Sequence, residues 1–406
     1  MSVHIKKVIC LTDNFPDGQK ITGAQIIYDR ALDVNRITPA AFRVKDRRIT
    51  GFSAEDCTVT IALDPADKAA PLIESPSKDE APKHMISPEK PGEKDQGPPR
   101  NIPPAVRRPV QIEVMQKTPV AAEDGSFIEP FDYIVSDTAI EPVVSDFVQA
   151  EYKGIPYNLF IPKEYDGKTG LPLVMFIHDA GPCGPDPKIT LSQGSGAISF
   201  ADPKWQEEHP CFVLAPQIDR TIRLTGPNST VSPELESIKE MLDDVVQRYN
   251  IDKKRIYATG QSMGCMASCE LNIRYPELFA ASLLVAGQWS PEKIAENCSG
   301  CKFWILVSEH DARAFPGMNA VTEALEEKGV KIGRYWWDGK SGDEELTEKA
   351  REAMKDDVQM RYTVFYGSSV VPANIWPHPG SNHTSTWNRV YPIRGVREWL
   401  FSNVKD

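Results

Sequence analysis

The stretch Ile256–Pro276, "IYATGQSMGCMASCELNIRYP", holds one serine between two glycines, Gly260 and Gly264. Its first residues continue the apolar run "RIYATG" (Arg255–Gly260), which reads as a buried strand. Its last residues read as a helix that stops near Pro276. Ser262 therefore falls at a strand-to-helix turn, where small flanking residues leave room for a strained backbone and close packing of helix on strand. Such a turn lifts a hydroxyl to the carboxyl edge of a sheet, where ligands of open α/β sheets bind. The helix start behind it aims N–H groups at developing negative charge. The pattern makes Ser262 a candidate nucleophile rather than a packing serine.

The surrounding rhythm agrees. "NLFIP", "LPLVMFIH", "CFVLAP", "ASLLVAG" and "CKFWILVSEHD" are short, nearly continuous apolar runs, as in strands buried on both faces of a parallel sheet. Helical stretches separate several of them. In "SPELESIKEMLDDVVQRYN" Ser232 and Pro233 are expected as cap and first-turn residue, and Ile238, Met241, Leu242, Val245 and Val246 form one apolar stripe. "GMNAVTEALEEKGV", ended by Gly329, and "GVREWLFSN" are two more helices. Strands alternating with helices predict a doubly wound, mostly parallel α/β sheet over residues 146–406. Residues 1–145 read differently. "KKVICLTD", "AQIIYDR", "AAFRV", "CTVTIAL", "VQIEVMQ" and "FDYIVSD" are strand-like runs punctuated by turn residues, predicting one small β-sandwich. From about 65 to 109 prolines and mixed charges replace apolar residues, and a mobile insertion is expected.

A serine hydroxyl needs a base, and the base needs a carboxylate to orient it. Of seven histidines only His310, His378 and His383 follow Ser262. His378 is boxed between Pro377 and Pro379, whereas His383 lies in "WPHPGSNHTSTW", expected as a loop able to reach the serine. His383 is the candidate base. Asp311 ends the strand "FWILVSEHD", which puts a carboxylate at the same sheet edge; the competing reading is an N-cap for the next helix, and Glu309 and Asp338 are weaker candidates. For the oxyanion, one donor is expected from Met263 N–H and the other from the loop "DAGPCG", at Ala180 or Gly181, with His178 shaping that loop. Trp289, Trp376 and Trp387 are candidates for a substrate pocket, while Trp336 and Trp337 are expected in the core.

On "FIHDAGPCG", "GQSMGC", "SEHD" and "GSNHTSTW" the chain from about Val148 onward resembles α/β-hydrolase fold serine esterases of the predicted-peptidase and polyhydroxybutyrate-depolymerase-like type. The resemblance implies Ser262, Asp311 and His383 as the triad, and an N-terminal immunoglobulin-like domain occurs in some members. Many relatives carry H-G-x-G where this chain has "HDAG".

The chain of 406 residues, with net charge −11, is poorly suited to nucleic acid or anionic membranes, and no run approaches the roughly 20 apolar residues of a membrane span. "MSVHIKKVICLTDNFPDG" is a poor signal peptide, so a cytoplasmic protein is expected, or a secreted one if a leader has been removed. Eight cysteines make no disulfide scaffold; Cys298 and Cys301 in "CSGC" read as loop residues, and Cys265 and Cys269 as small core residues of one helix face. The expected activity is hydrolysis of short-chain or aromatic carboxylic esters with no metal or organic cofactor. The alternatives are a serine peptidase of prolyl-oligopeptidase-like type on the same triad and a silent binding scaffold. The N-terminal domain is expected to serve self-association, giving a homo-oligomer, or to restrict the site.

Overall fold

The computed structural model describes residues 4–74, 103–226 and 228–405, and all that follows refers to these. The proline-rich stretch expected at 65–109 lies for the most part outside them. Two compact units emerge: Met1–Glu74 with Arg107–Asp146, and Ser75–Val106 with Phe147–Asp406.

The first unit is all β. Strands β1 (Ile5–Phe15), β2 (Gly18–Tyr28), β3 (Phe42–Val44), β4 (Ile49–Glu55), β5 (Thr58–Leu63), β6 (Glu113–Gln116), β7 (Phe131–Val135) and β8 (Thr138–Ile140) form two sheets. Their orders are β8-β1-β2-β5-β4 and β7-β6-β3. Alternate residues of both sheets, among them Val8, Ile26, Val59, Phe42, Val114 and Phe131, enter one apolar core. The polar group Gln116 is buried within it, accepting from Tyr28 Oη at 2.8 Å and donating to the carbonyl of Ile128 at 3.0 Å, so its burial carries no orphaned amide. Strand β4, "ITGFSAE", gave no sequence signal because it is polar and only half-buried along its length.

The second unit is built on strands β9 (Phe147–Tyr152), β10 (Ile155–Phe160), β11 (Leu171–Ile177), β12 (Phe212–Pro216), β13 (Ile251–Gln261), β14 (Ala281–Val285), β15 (Phe303–Ser308), β16 (Ile332–Trp337) and β17 (Met360–Phe365). They lie in the order β9-β10-β12-β11-β13-β14-β15-β17-β16. β9 and β10 pair antiparallel, as do β10 and β12; every pairing from β12 to β16 is parallel. Strands β12, β14, β15 and β17 are buried along their entire length, which explains the nearly continuous apolar runs of the first three; β17 buries Arg361 and Thr363 as well.

Helices α1 (Glu234–Arg248), α2 (Met263–Arg274), α3 (Ala314–Glu327), α4 (Asp343–Met354), α5 (Pro379–Val390) and α6 (Arg394–Ser402) accompany the sheet. The stripe on α1 buries Ile238, Met241, Leu242 and Val245 as its spacing predicts. Its start differs from expectation: Pro233 is the cap residue, Ser232 contributes its carbonyl to Leu235 N–H, and the Ser232 hydroxyl caps nothing. Gly329 ends α3 with φ +86°, a conformation that favours glycine. The larger correction is α5. The segment expected as a loop is a helix, started by Pro379 in its first turn and by His378 as the cap residue. His378 Nδ1 accepts from Gly380 N–H at 3.1 Å and Ser381 N–H at 3.3 Å, while Ser381 Oγ accepts from His378 N–H at 2.9 Å. This reciprocal arrangement overrides the weak helix propensity of Gly, Ser, Asn and Thr.

Candidate active site

Parallel pairing brings the carboxyl ends of β11, β13 and β15 to one edge of the sheet. Ser262 follows β13 directly and begins α2 with φ +49° and ψ −113°, a costly conformation for a residue with a Cβ. The glycines make it attainable. A Cβ on Gly264 would occupy the carbonyl of Ile177, and one on Gly260 would lie 2.6 Å from the Gly264 carbonyl carbon. Ser262 N–H is held by Val285 O at 3.0 Å, which ties the turn to the neighbouring strand β14.

The serine hydroxyl lies 2.8 Å from His383 Nε2, and His383 Nδ1 lies 2.5 Å from Asp311 Oδ2. With the carboxylate accepting from Nδ1–H, Nε2 is left as the acceptor that faces the hydroxyl. Asp311 is 2% exposed and has two tasks. Oδ2 holds the imidazole, while Oδ1 accepts from the N–H groups of Arg313 at 3.1 Å and Ala314 at 3.0 Å, at the start of α3. The hydrogen bonds are compatible with both readings of this residue, acid and helix cap, on different oxygens. His383 sits in the second turn of α5 instead of a loop, so a helix rather than a flexible segment sets its position. The indole of Trp387, four residues further along that helix, meets the imidazole edge-on at 5.1 Å and backs it.

The other candidates fall away from this chain of hydrogen bonds. His310 Nδ1 is paired with Ser368 Oγ at 3.0 Å, and His378 serves as the cap of α5. Glu309 accepts from Gly367 N–H at 2.6 Å, and Asp338 from Lys340 N–H at 2.9 Å.

On the opposite flank, the loop after β11 is fixed by a network that sequence spacing does not announce. His178 is fully buried; its Nδ1–H donates to Asp179 O at 2.6 Å, and its Nε2 accepts from Ile218 N–H at 2.9 Å. Burial pushes this imidazole below its usual range, so it stays neutral and shapes the loop. Asp179 Oδ2 accepts from Gly181 N–H at 3.0 Å, and its Oδ1 accepts from Gln261 Nε2 at 2.9 Å. Gln261 is the residue before the serine and is 2% exposed, so this carboxylate joins the loop to the turn carrying Ser262. Arg220 grips the same loop by donating to Ala180 O at 3.0 Å and Gly181 O at 3.4 Å. Of the two amides considered for the oxyanion, Gly181 is thus already occupied. The N–H groups of Ala180 and Met263 are taken by no other group among the described residues.

The tryptophans divide. Trp387 supports His383. Trp289 is buried, with its indole N–H on Glu270 Oε2 at 3.1 Å, so its polar edge is committed to α2. Trp376 is 82% exposed. Trp337 is buried as expected, but Trp336 is 42% exposed because β16 is the edge strand of the sheet.

Cys298 and Cys301 are free and buried, in the turn between a short helix, Pro291–Asn297, and β15. Cys265 and Cys269 are free and buried on α2; the hydrogen bond that the Cys269 thiol donates to Cys265, together with burial, holds it protonated well above its usual range. No helix among the described residues is long and apolar enough to cross a membrane.

No family model matches the chain. Over 139 residues it is 30% identical to acetylxylan esterase A of Aspergillus ficuum, a match covering 33% of this chain and 43% of that protein. Over 64 residues it is 37% identical to poly(3-hydroxyalkanoate) depolymerase C of Paucimonas lemoignei, covering 16% and 15% of the two chains. The chain thus spans less than half the length of these curated relatives. The crystal structure of a thermostable esterase superposes with TM-score 0.78 at 24% identity, covering 98% of this chain and 100% of that one. This likeness extends through both units and shows their fold: an α/β-hydrolase sheet preceded by an all-β unit.

Proposed function

We propose that the chain is a serine carboxylesterase acting on short-chain or aromatic carboxylic esters. The observation that carries this reading is the continuous chain Ser262 Oγ–His383 Nε2 and His383 Nδ1–Asp311 Oδ2, at 2.8 and 2.5 Å, with the serine on a strained turn at the sheet edge. The short matches to an acetylxylan esterase and a polyester depolymerase support an ester as the substrate.

In the proposed mechanism Ser262 Oγ attacks the ester carbonyl carbon while His383 Nε2 takes the hydroxyl proton. The tetrahedral oxyanion receives hydrogen bonds from Met263 N–H and Ala180 N–H. His383 then returns its proton to the leaving alcohol as the C–O bond breaks, leaving an acyl-Ser262 ester. A water molecule, deprotonated by His383, attacks that ester; collapse frees the carboxylic acid and restores the serine. Asp311 stays ionised throughout, holding the imidazole tautomer and stabilising the imidazolium.

Hydrolysis of p-nitrophenyl acetate, butyrate and octanoate by wild type and Ser262→Ala, beside aminoacyl p-nitroanilides, tests the reading. Ester turnover that falls at least about 10³-fold in the variant is expected. Preferential turnover of the anilides by the wild type would overturn the assignment in favour of a peptidase.

A further inference from the structure

Ser308, the last residue of β15, touches the turn of the acid and the helix of the base alike. Its carbonyl accepts from Asp311 N–H at 3.0 Å, closing the turn that carries the carboxylate. Its hydroxyl lies 3.1 Å from Oδ1 of Asn382, the residue before His383 in α5. Acid and base are thus referred to one residue at the end of one strand. Both side chains are hidden from water: Ser308 is 0% and Asn382 1% exposed.

The amide of Asn382 is fully engaged. Its Nδ2 donates to His378 O at 3.0 Å and to Ser368 Oγ at 3.1 Å. Because His378 O only accepts, the amide has one orientation, with Oδ1 toward Ser308. Ser368 lies in the turn after β17, and further bonds join that turn to the one after β15. Ser308 Oγ also lies 3.1 Å from Gly367 O, Gly367 N–H donates to Glu309 Oε2 at 2.6 Å, and Glu309 N–H donates to Phe365 O at 3.0 Å. Ser368 Oγ also meets His310 Nδ1 at 3.0 Å. One buried amide therefore ties the first turn of α5 to the ends of two adjacent strands.

The cap and Pro379 start α5, but they do not fix where the helix stands against the sheet. Apolar contacts such as those of Val390 have no direction and tolerate small slides. Hydrogen bonds weaken steeply with distance and angle, so they define one position. A buried amide and hydroxyl add little net stability over apolar groups of the same shape, which leaves placement as their contribution. Placement matters here because His383 has to meet Ser262 Oγ at 2.8 Å and Asp311 Oδ2 at 2.5 Å together. We propose that Asn382 is a positioning residue for the reaction: with Ser308 it registers α5 on the end of β15, so that His383 reaches acid and nucleophile at once. The proposal rests on the triad reading and adds a residue that touches no reacting atom.

Asn382→Ala, Ser308→Ala and the double variant test it, with Val390→Ala as a control that thins the packing of the same helix away from the amide. In Asn382→Ala, kcat on p-nitrophenyl acetate should fall about 10–100-fold while KM stays within about twofold. Ser308→Ala should lose less, about 3–10-fold, because Nδ2 of Asn382 keeps both its partners. The double variant should fall no further than Asn382→Ala, since Ser308 acts through it. The downfield proton NMR signal of the His383–Asp311 hydrogen bond should shift or broaden in Asn382→Ala. In Val390→Ala the signal should stay in place and kcat should remain within about threefold of wild type, even where the melting temperature falls as far.

A lower melting temperature in Asn382→Ala with kcat and the NMR signal unchanged would make the amide a structural group only and overturns the proposal. An equal loss of kcat in Val390→Ala overturns it, as does a double variant whose loss is the product of the two single losses. Should Asn382→Ala not fold, Ser308→Ala decides by the same two readouts, and wild-type values in both overturn the proposal. Failure of the esterase reading looks different: turnover then survives in Ser262→Ala, whereas failure here leaves Ser262→Ala inactive and the Asn382 series flat.

Discussion

The two flanks of Ser262 are built on opposite principles. On the side of β11, the loop His178–Gly181 is held by side chains drawn from three separate segments. His178 and Asp179 belong to the loop itself, Arg220 follows β12, and Gln261 ends β13. On the side of α5, a single helix carries His383, and its geometry is set by a cap, a proline and one aromatic contact. The first flank pairs its polar groups with one another, and Met263 N–H and Ala180 N–H, the donors proposed for the oxyanion, have no other partner among the described residues. The second borders a cleft lined by Glu309, His310, Phe315 and Asn382, among others. In the proposed mechanism one side supplies charge stabilisation and the other the proton carrier. Preorganised donors need rigidity, which side chains drawn from three segments supply, whereas a base needs only its helix fixed in place.

Substitutions that strike one flank at a time sharpen this contrast. The largest effect is expected from Asp311→Asn. An asparagine keeps an oxygen to cap α3, but its amide N–H₂ facing His383 Nδ1 forces the proton onto Nε2, where the imidazole no longer accepts from Ser262. Esterase kcat should fall about 10³–10⁴-fold with thermal stability little altered, as read by steady-state kinetics beside a melting curve. A stable variant with kcat within tenfold of wild type would break the assignment of the acid.

Asp179→Ala strikes the other flank and should act more mildly. It frees Gly181 N–H and removes the link from the loop to Gln261, loosening the Ala180 donor without touching the triad. A misplacement of this kind is expected to lower kcat about 10–100-fold while KM stays within about twofold, because a tetrahedral oxyanion depends on that donor more than a bound ester does. A boronic acid that mimics the tetrahedral adduct should lose affinity in parallel with kcat. A rise in KM with kcat unchanged would show that the loop serves substrate binding instead.

Much of this architecture is written in local sequence, and the exceptions have physical reasons. Ser262 and Asp311 could be singled out as candidates because each follows within three residues of a buried apolar strand, so one pattern reports both the strand and the sheet edge. His383 was reached from residue type and chain order, but the helix around it was not. Gly380, Ser381, Asn382 and Thr384 have weak propensity, and the helix depends on the His378 cap and on Trp387 and Val390 being buried. The network joining Asp179, Arg220 and Gln261 unites residues up to 82 positions apart, which no local pattern marks. Trp336 and Trp337 share one apolar stretch, yet only Trp337 is buried. Whether a strand lies at the edge of a sheet is decided by the strands that pair with it.

The most direct test of the central claim is covalent trapping of the nucleophile with a fluorophosphonate, followed by intact mass measurement and peptide mapping. The account predicts one adduct, on the peptide containing Ser262, absent from Ser262→Ala and formed far more slowly in His383→Ala. An adduct on another residue, or labelling at Ser262 that proceeds at the wild-type rate without His383, would contradict it.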